Sequence, residues 1–232
     1  MLKTSLLLSY LAMPRVGHLE QSFHIFGYLK AHPKRKLILD LAHPSINENR
    51  FQKCDWKEFY RDAEEAIPGN MTVARGNFMS THCFVGANHA GDTETRQSQT
   101  GILLFCNSAP ITWFSKRQNS VEASMFGSDF TAMNNAVEII EALRYKLRMF
   151  GFLINVSTNI FCDNGVVCVN MTRPESTMSK KHHSIDYHCA QEAVAKGTVI
   201  VSKEHKLTNL EDLFTKTMAE TNRKGILDKF TY

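Results

Sequence analysis

The sequence lacks a long apolar run, a paired-cysteine motif, an internal repeat and a strong excess of either charge. No stretch approaches the ~18 consecutive apolar residues of a membrane-spanning helix, so no transmembrane segment is expected. None of the six cysteines forms a C-x-x-C pair, which argues against a zinc ribbon or a disulfide framework. This favours reduced, mostly buried thiols in an intracellular protein, cytoplasmic or nuclear. The net charge of +4 is compatible with a polyanionic partner but does not require one.

The apolar content is ordinary for a folded protein. Apolar residues make up 43% of the 232 positions, which suffices for one sizeable domain with an appendage. Residues 1–13 have the lysine and apolar stretch of a signal peptide, but no small-x-small cleavage site follows before Pro14. Because helical spacing of apolar residues resumes over 18–31, we interpret this end as helical and as a piece of a larger protein.

The rest of the chain changes character twice. Turn signals and few apolar runs over about 42–77 predict a linker with one short helix, preceded by a short strand at 37–39. From 81 onward we expect three strands joined by short turns, a helix at about 128–150, a strand at 159–162 and a helix from 164. A helix at 184–196, a strand at 198–201 and a final helix capped at 208–211 follow. This order predicts an α/β fold with an antiparallel hairpin set followed by parallel strands.

Three aspartates stand at positions typical of metal ligands. Asp163 follows the apolar run 160–162, Asp129 lies near the start of the long helix, and Asp212 lies in the last helix. Carboxylates that converge from separate elements can hold two Mg²⁺ ions, roughly 3.5–4 Å apart, for phosphodiester hydrolysis. Each acid also has a structural interpretation. Asp129 and Asp212 suit helix N-termini, and Asp163 suits a cap of the helix that follows it.

Six sequence blocks, in order, resemble the ribonuclease H domain of copia-type (Pseudoviridae) LTR retroelement polyproteins. The family patterns are D-A-D-x-A-G, R-x-S-x-T-G, W-x-S-K-K/R-Q, a helix start ending E-Y/F-x-A, a strand-end aspartate and a final D-x-x-T-K. The blocks lie at 85–92, 96–101, 113–118, 126–132, 162–164 and 212–216. Residues 10–30 resemble the end of the reverse transcriptase in the same polyproteins, so the resemblance covers nearly the whole chain.

The resemblance implies a ribonuclease H-like mixed sheet, with three antiparallel strands and then parallel strands, flanked by helices and preceded by a helical appendage. The implied domains are a reverse transcriptase remnant at 1–40, a linker with a short helix at 41–80, a ribonuclease H-like domain at 81–218 and a tail at 219–232. Of the family's four metal-binding acids, the first falls on Gly86 and the second, normally glutamate, on Asp129. The third and fourth fall on Asp163 and Asp212.

The implied function is Mg²⁺-dependent hydrolysis, with Mn²⁺ as a substitute, of the RNA strand of an RNA–DNA hybrid. Because Gly86 has no side chain and Asp129 is one methylene shorter than glutamate, we expect this activity to be weakened. The alternative is a catalytically dead remnant that binds nucleic acid or serves as a scaffold. Partners would be a hybrid or other nucleic acid and the remainder of a reverse transcriptase, without a membrane. Candidate phosphate-binding residues are Lys116, Arg117, Lys180 and Lys181.

Overall fold

The structure, a computed structural model, describes residues 2–176 and 184–231. The described residues form seven α-helices and five strands. The strands are β1 Thr81–Asn88, β2 Gln99–Cys106, β3 Ala109–Arg117, β4 Thr158–Cys162 and β5 Val199–Lys203. The helices are α1 Leu2–Leu8, α2 Val16–Ala31, α3 Met125–Met149, α4 Gly165–Thr172, α5 Ser184–Ala195, α6 Asp212–Thr215 and α7 Glu220–Leu227.

The five strands form one sheet in the order β3-β2-β1-β4-β5. β1 pairs antiparallel with β2, and β2 pairs antiparallel with β3. β4 runs parallel to β1, and β5 runs parallel to β4. The predicted mixed sheet, antiparallel over its first three strands and then parallel, is confirmed. Because β1 and β4 are parallel neighbours, their carboxyl ends meet at one edge of the sheet.

Helices cover both faces of the sheet, which explains why every residue of β2 is buried. On one face, Val85, Ile102 and Leu104 pack with apolar side chains of α3, α4 and α5. On the other face, Leu103 and Phe105 pack with side chains of α6 and α7. The alternation of side chains along β1 and β2 divides the core into these two layers.

The long helix α3 begins earlier than predicted. The Ser124 hydroxyl caps it by accepting a hydrogen bond from the Gly127 amide, so Asp129 lies in the second turn and not at the start. Apolar side chains at helical spacing line one side of α3, and Phe130, Met133, Val137 and Ile140 are all buried. Gly151, with a φ of +81°, follows the end of the helix.

The N-terminal third differs from the prediction in two places. Residues 37–39 do not form a strand, because only Leu37 makes an isolated bridge, to Thr231. The short helix of the linker is a single 3-10 turn at Glu48–Arg50, and the aromatic residues around Trp56 form only turns. α2 is helical as predicted, but none of its side chains is buried.

The C-terminal end also differs. Residues 208–211 do not cap a long helix, because α6 begins at Asp212 and has only four residues. Within the segment 219–231, α7 forms, and Ile226 and Phe230 pack with Leu103 and Phe105 of β2.

Glu65 fixes the linker to the sheet domain. Its carboxylate accepts hydrogen bonds of 2.6–2.8 Å from the buried guanidinium groups of Arg144 and Arg148 on α3. Burial opposes ionisation, but the two arginines outweigh it and lower the pKa of Glu65 to about 2.

All six cysteines are free thiols, and four of them are buried. One of the buried thiols, Cys168, lies in α4. Among the residues that the structure describes, no helix has the length and apolar character needed to cross a membrane.

Candidate active site

Asp163 lies at the edge of the sheet where β1 and β4 end side by side. It directly follows β4, and the register of the parallel pair sets Cys162 opposite Val85. Asp163 is therefore next to Gly86 across the two strands. The prediction of a strand-end carboxylate at this position agrees with the structure.

Asp129 reaches the same edge from α3 and is buried. One carboxylate oxygen accepts a hydrogen bond of 2.9 Å from the Ala87 amide of β1, and the other accepts one of 2.8 Å from Asn164 Nδ2. Burial, with a smaller contribution from the negative charge of Asp163, raises the pKa of Asp129 to about 6. The structure thus brings Asp129 and Asp163 together, but both oxygens of Asp129 already have protein donors.

Asp212 is the first residue of α6, and it is paired within the protein. Its carboxylate accepts a hydrogen bond of 2.5 Å from Lys216 Nζ, one helical turn further on. Burial works against the ammonium charge, but Asp212, Glu211 and Asp163 together raise the pKa of Lys216. A lysine charge therefore lies among the acids and partly balances them.

Sequence reasoning missed Glu211, which is almost completely buried, with 1% of its surface exposed. One of its carboxylate oxygens, Oε2, accepts a hydrogen bond of 2.8 Å from the Thr215 hydroxyl. A Cβ atom at Gly86 would lie 2.5 Å from the other oxygen, Oε1, so the Glu211 side chain occupies the space that a side chain on β1 would need. Burial first, and the neighbouring Asp212 second, raise the pKa of Glu211 well above its usual range.

Two glycines make room for Glu211. Gly86 of β1 and Gly101 of β2 are directly opposite each other in the antiparallel pair, and a Cβ at Gly101 would lie 3.0 Å from Glu211 Oε2. The signal in the sequence was this pair of glycines in adjacent strands, but it can be recognised only once the register is known.

The acids at this edge are largely engaged by other protein groups. Mg²⁺ needs near-octahedral oxygen ligation at about 2.0–2.1 Å. Here Asp129 is engaged by β1 and Asn164, Asp212 by Lys216, and the space over Gly86 is filled by Glu211. In the described part of the chain, no group of three or more histidine, cysteine, aspartate or glutamate side chains is arranged to hold a metal ion.

The structure describes two of the four candidate phosphate-binding residues. Lys116 and Arg117 are the last two residues of β3. Lys116 is exposed, whereas Arg117 is paired with Asp92 at 3.1 Å. Lys180 and Lys181 lie outside the described residues.

Comparisons of sequence relate the chain to proteins of plant transposons. No family model matches it. It is 27% identical over 147 residues to the retrovirus-related Pol polyprotein from transposon RE2 of Arabidopsis thaliana, covering 63% of this chain and 10% of that protein. It is 26% identical over 190 residues to the Pol polyprotein from transposon TNT 1-94 of Nicotiana tabacum, covering 77% of this chain and 14% of that protein. The chain thus spans a small part of its curated relatives.

Comparisons of structure give weaker likenesses. The N-terminal RNase H domain of a Mycobacterium tuberculosis protein, solved as a fusion with maltose-binding protein, has a TM-score of 0.45 and 9% identity, covering 65% of this chain and 97% of that one. RNase H1 from Halobacterium salinarum has a TM-score of 0.42 and 14% identity, covering 57% and 90%. At these scores the fold assignment rests on the order and directions of the strands. In sequence the chain is thus similar to retrovirus-related Pol polyproteins of plant transposons, and its sheet has the strand order and directions expected of a ribonuclease H-like fold.

Proposed function

We propose that this ribonuclease H-like domain binds RNA–DNA hybrids and that its metal-dependent hydrolysis of the RNA strand is weakened. The observation that carries the proposal is the state of the acids at the β1–β4 edge. Asp129 and Asp163 meet there, but position 86 has no side chain and Asp212 is paired with Lys216. Two-metal hydrolysis needs carboxylates that are free to share the two ions, and this arrangement offers few.

Cleavage of a labelled RNA–DNA hybrid in Mg²⁺ and in Mn²⁺ tests the proposal. We expect slow turnover by the wild-type protein and its loss in Asp163→Asn, because Asp163 is one of the two acids that meet at this edge. Asp62→Asn, which changes an exposed acid of the linker, is the matched control. Robust wild-type turnover that disappears in Asp163→Asn alone would contradict weakened hydrolysis.

The second candidate function is binding without hydrolysis, which the internally paired acids favour. A domain whose acids are balanced by Lys216 and by protein donors can hold a hybrid without metal ions. Fluorescence anisotropy in the presence of EDTA measures this directly. If Lys116 contacts a phosphate, Lys116→Ala weakens binding and lowers the slope of log affinity against log salt concentration by about 0.9. Lys57→Ala, an exposed lysine of the linker, is expected to change neither value.

The partner proposed for the N-terminal helices is the remainder of a reverse transcriptase. Residues 10–30 resemble the end of that enzyme. Apolar side chains on α2 are more than half exposed; they are Val16, Leu19, Phe23, Phe26 and Leu29. An apolar helix surface of this kind is typical of a protein contact.

A further inference from the structure

The Glu211 side chain fills a slot in the sheet that is created by the absence of two side chains. Gly86 and Gly101 face each other across β1 and β2, and α6 packs over both strands. Glu211 enters this slot from the turn before α6 and buries its carboxyl group there. Its Oε2 atom is held by Thr215 of α6.

The slot cannot hold Glu211 and a side chain on residue 86 together. A Cβ atom on residue 86 would lie 2.5 Å from Glu211 Oε1 and 2.7 Å from Cδ. It would also lie 3.2 Å from Cγ, so rotation of the carboxyl group about its last bond does not relieve the overlap. The side chain has to leave the slot from Cγ outward, and this breaks its hydrogen bond with Thr215.

We propose that the Glu211 side chain occupies the space beside residue 86 of β1, from which an acid would act. Position 86 therefore lacks an acid and also has no room for one. The inference rests on the proposed function, because it concerns the same acids. Glu211 is the residue that excludes a carboxylate at position 86, and neither Asp129 nor Asp212 has this role. Restoring the acid by Gly86→Asp alone then places two carboxyl groups in one slot, whereas Gly86→Asp with Glu211→Ala gives the new acid room.

A double-mutant cycle of thermal stability tests the steric part without any measurement of nuclease activity. We expect Gly86→Asp to lower Tm by roughly 4 °C or more in the wild-type background. The same change is expected to lower Tm much less in the Glu211→Ala background. Gly69→Asp, at an exposed glycine with nothing within 4 Å of its Cβ position, controls for the general effect of the substitution. If Gly86→Asp does not fold, Gly86→Ala replaces it, since its Cβ alone meets Oε1.

Glu211→Gln separates volume from charge. Glutamine has nearly the shape of glutamate, so we expect Gly86→Asp to remain destabilising in the Glu211→Gln background. If Gly86→Asp lowers Tm equally in the wild-type and Glu211→Ala backgrounds, the proposal is overturned. Rescue by Glu211→Gln as complete as that by Glu211→Ala would also overturn it, because charge repulsion would then be the cause.

A calorimetric titration with Mn²⁺ tests the consequence for metal binding at the site. The double variant is expected to bind Mn²⁺ at least about tenfold more tightly than Gly86→Asp alone, a difference of about 1.4 kcal/mol. Adding Asp163→Asn to the double variant should remove the gain. Equal Mn²⁺ affinity of Gly86→Asp and the double variant contradicts the inference. Robust hybrid cleavage by the wild-type protein contradicts only the proposed function, and an additive stability cycle contradicts only the role of Glu211.

Discussion

At the residue scale, His82 makes the stability of the domain depend on pH. It lies in β1 with its ring stacked on Phe105 at 4.6 Å, and its Nδ1 atom is buried without a hydrogen-bond partner among the described residues. Burial lowers the pKa of His82 from 6.5 to about 4. Because the unfolded chain takes up a proton first, the folded state loses stability as the pH falls from about 6.5 towards 4.

We therefore predict a contribution from His82 that makes the protein roughly 2 kcal/mol less stable at pH 5 than at pH 7. His82→Phe keeps the stacked ring and removes the titrating group, so it should abolish this part of the pH dependence. Urea unfolding at the two pH values measures it. His24→Phe, at an exposed histidine of α2, should leave the difference unchanged. An unaltered pH dependence in His82→Phe would show that other groups cause it.

At the scale of elements, the linker and α3 are joined by one acid. Removal of Glu65 leaves the guanidinium groups of Arg144 and Arg148 buried without an opposite charge. We expect Glu65→Gln to lower the free energy of unfolding by about 3 kcal/mol. Thermal or urea unfolding measures this, and Glu64→Gln, one position away and exposed, is the matched control with little expected effect.

The Glu65 contact also makes stability depend on pH, but for a different reason. The two arginines lower the pKa of Glu65, whereas burial lowers that of His82. The folded state holds the pKa of Glu65 at about 2, below its ordinary value of 4.5. Its stabilisation is complete above about pH 4.5 and is lost as the pH falls towards 2. A Glu65→Gln variant that loses as much stability at pH 7 as at pH 2, relative to wild type, would contradict this account.

Most elements of the sheet domain could be predicted because their sequence patterns match their burial. Residues 101–106 of β2 read as an apolar run, and the strand is buried on both faces. The C-terminal helix could not be predicted correctly, because residues 208–211 resemble a helix cap. Leu210 and Phe214 are instead packed against Leu103 and Phe105 of the sheet, and this tertiary packing overrides the local signal.

The site was predictable in part for a related reason. Asp163 follows directly from the apolar strand before it, and the approach of Asp129 to it agrees with the resemblance. The hydrogen bonds of Asp129 to β1 and Asn164, and the entry of Glu211 between two glycines, depend on register and on the path of the chain before α6. Neither of these can be obtained from one sequence.

At the scale of the whole molecule, α2 gives the surface an apolar patch. Phe23 and Phe26 are 63% and 66% exposed. We predict that the isolated chain self-associates through this patch, and that Phe23→Ser with Phe26→Ser reduces the concentration dependence of its sedimentation coefficient. Tm should be unchanged, because no side chain of α2 is buried.

Gln21→Ser with His24→Ser, on exposed polar positions of the same helix, is the matched control and should leave sedimentation unaltered. A fall in Tm on replacing the two phenylalanines would mean that α2 packs on the domain in solution. Unchanged sedimentation would show that the patch makes no contact between copies.

The contact between Gly86 and Glu211 also gives the gene a preferred mutational route. A glycine codon can become an aspartate codon by one base change, so an acid at 86 is one step away. That step is disfavoured while Glu211 fills the slot, because Cβ would lie 2.5 Å from Oε1. A change at 211 has to come first, and on its own it confers no acid on β1. A path to an acid at 86 therefore passes through a variant with no gain in function, which makes such a change difficult for selection to reach.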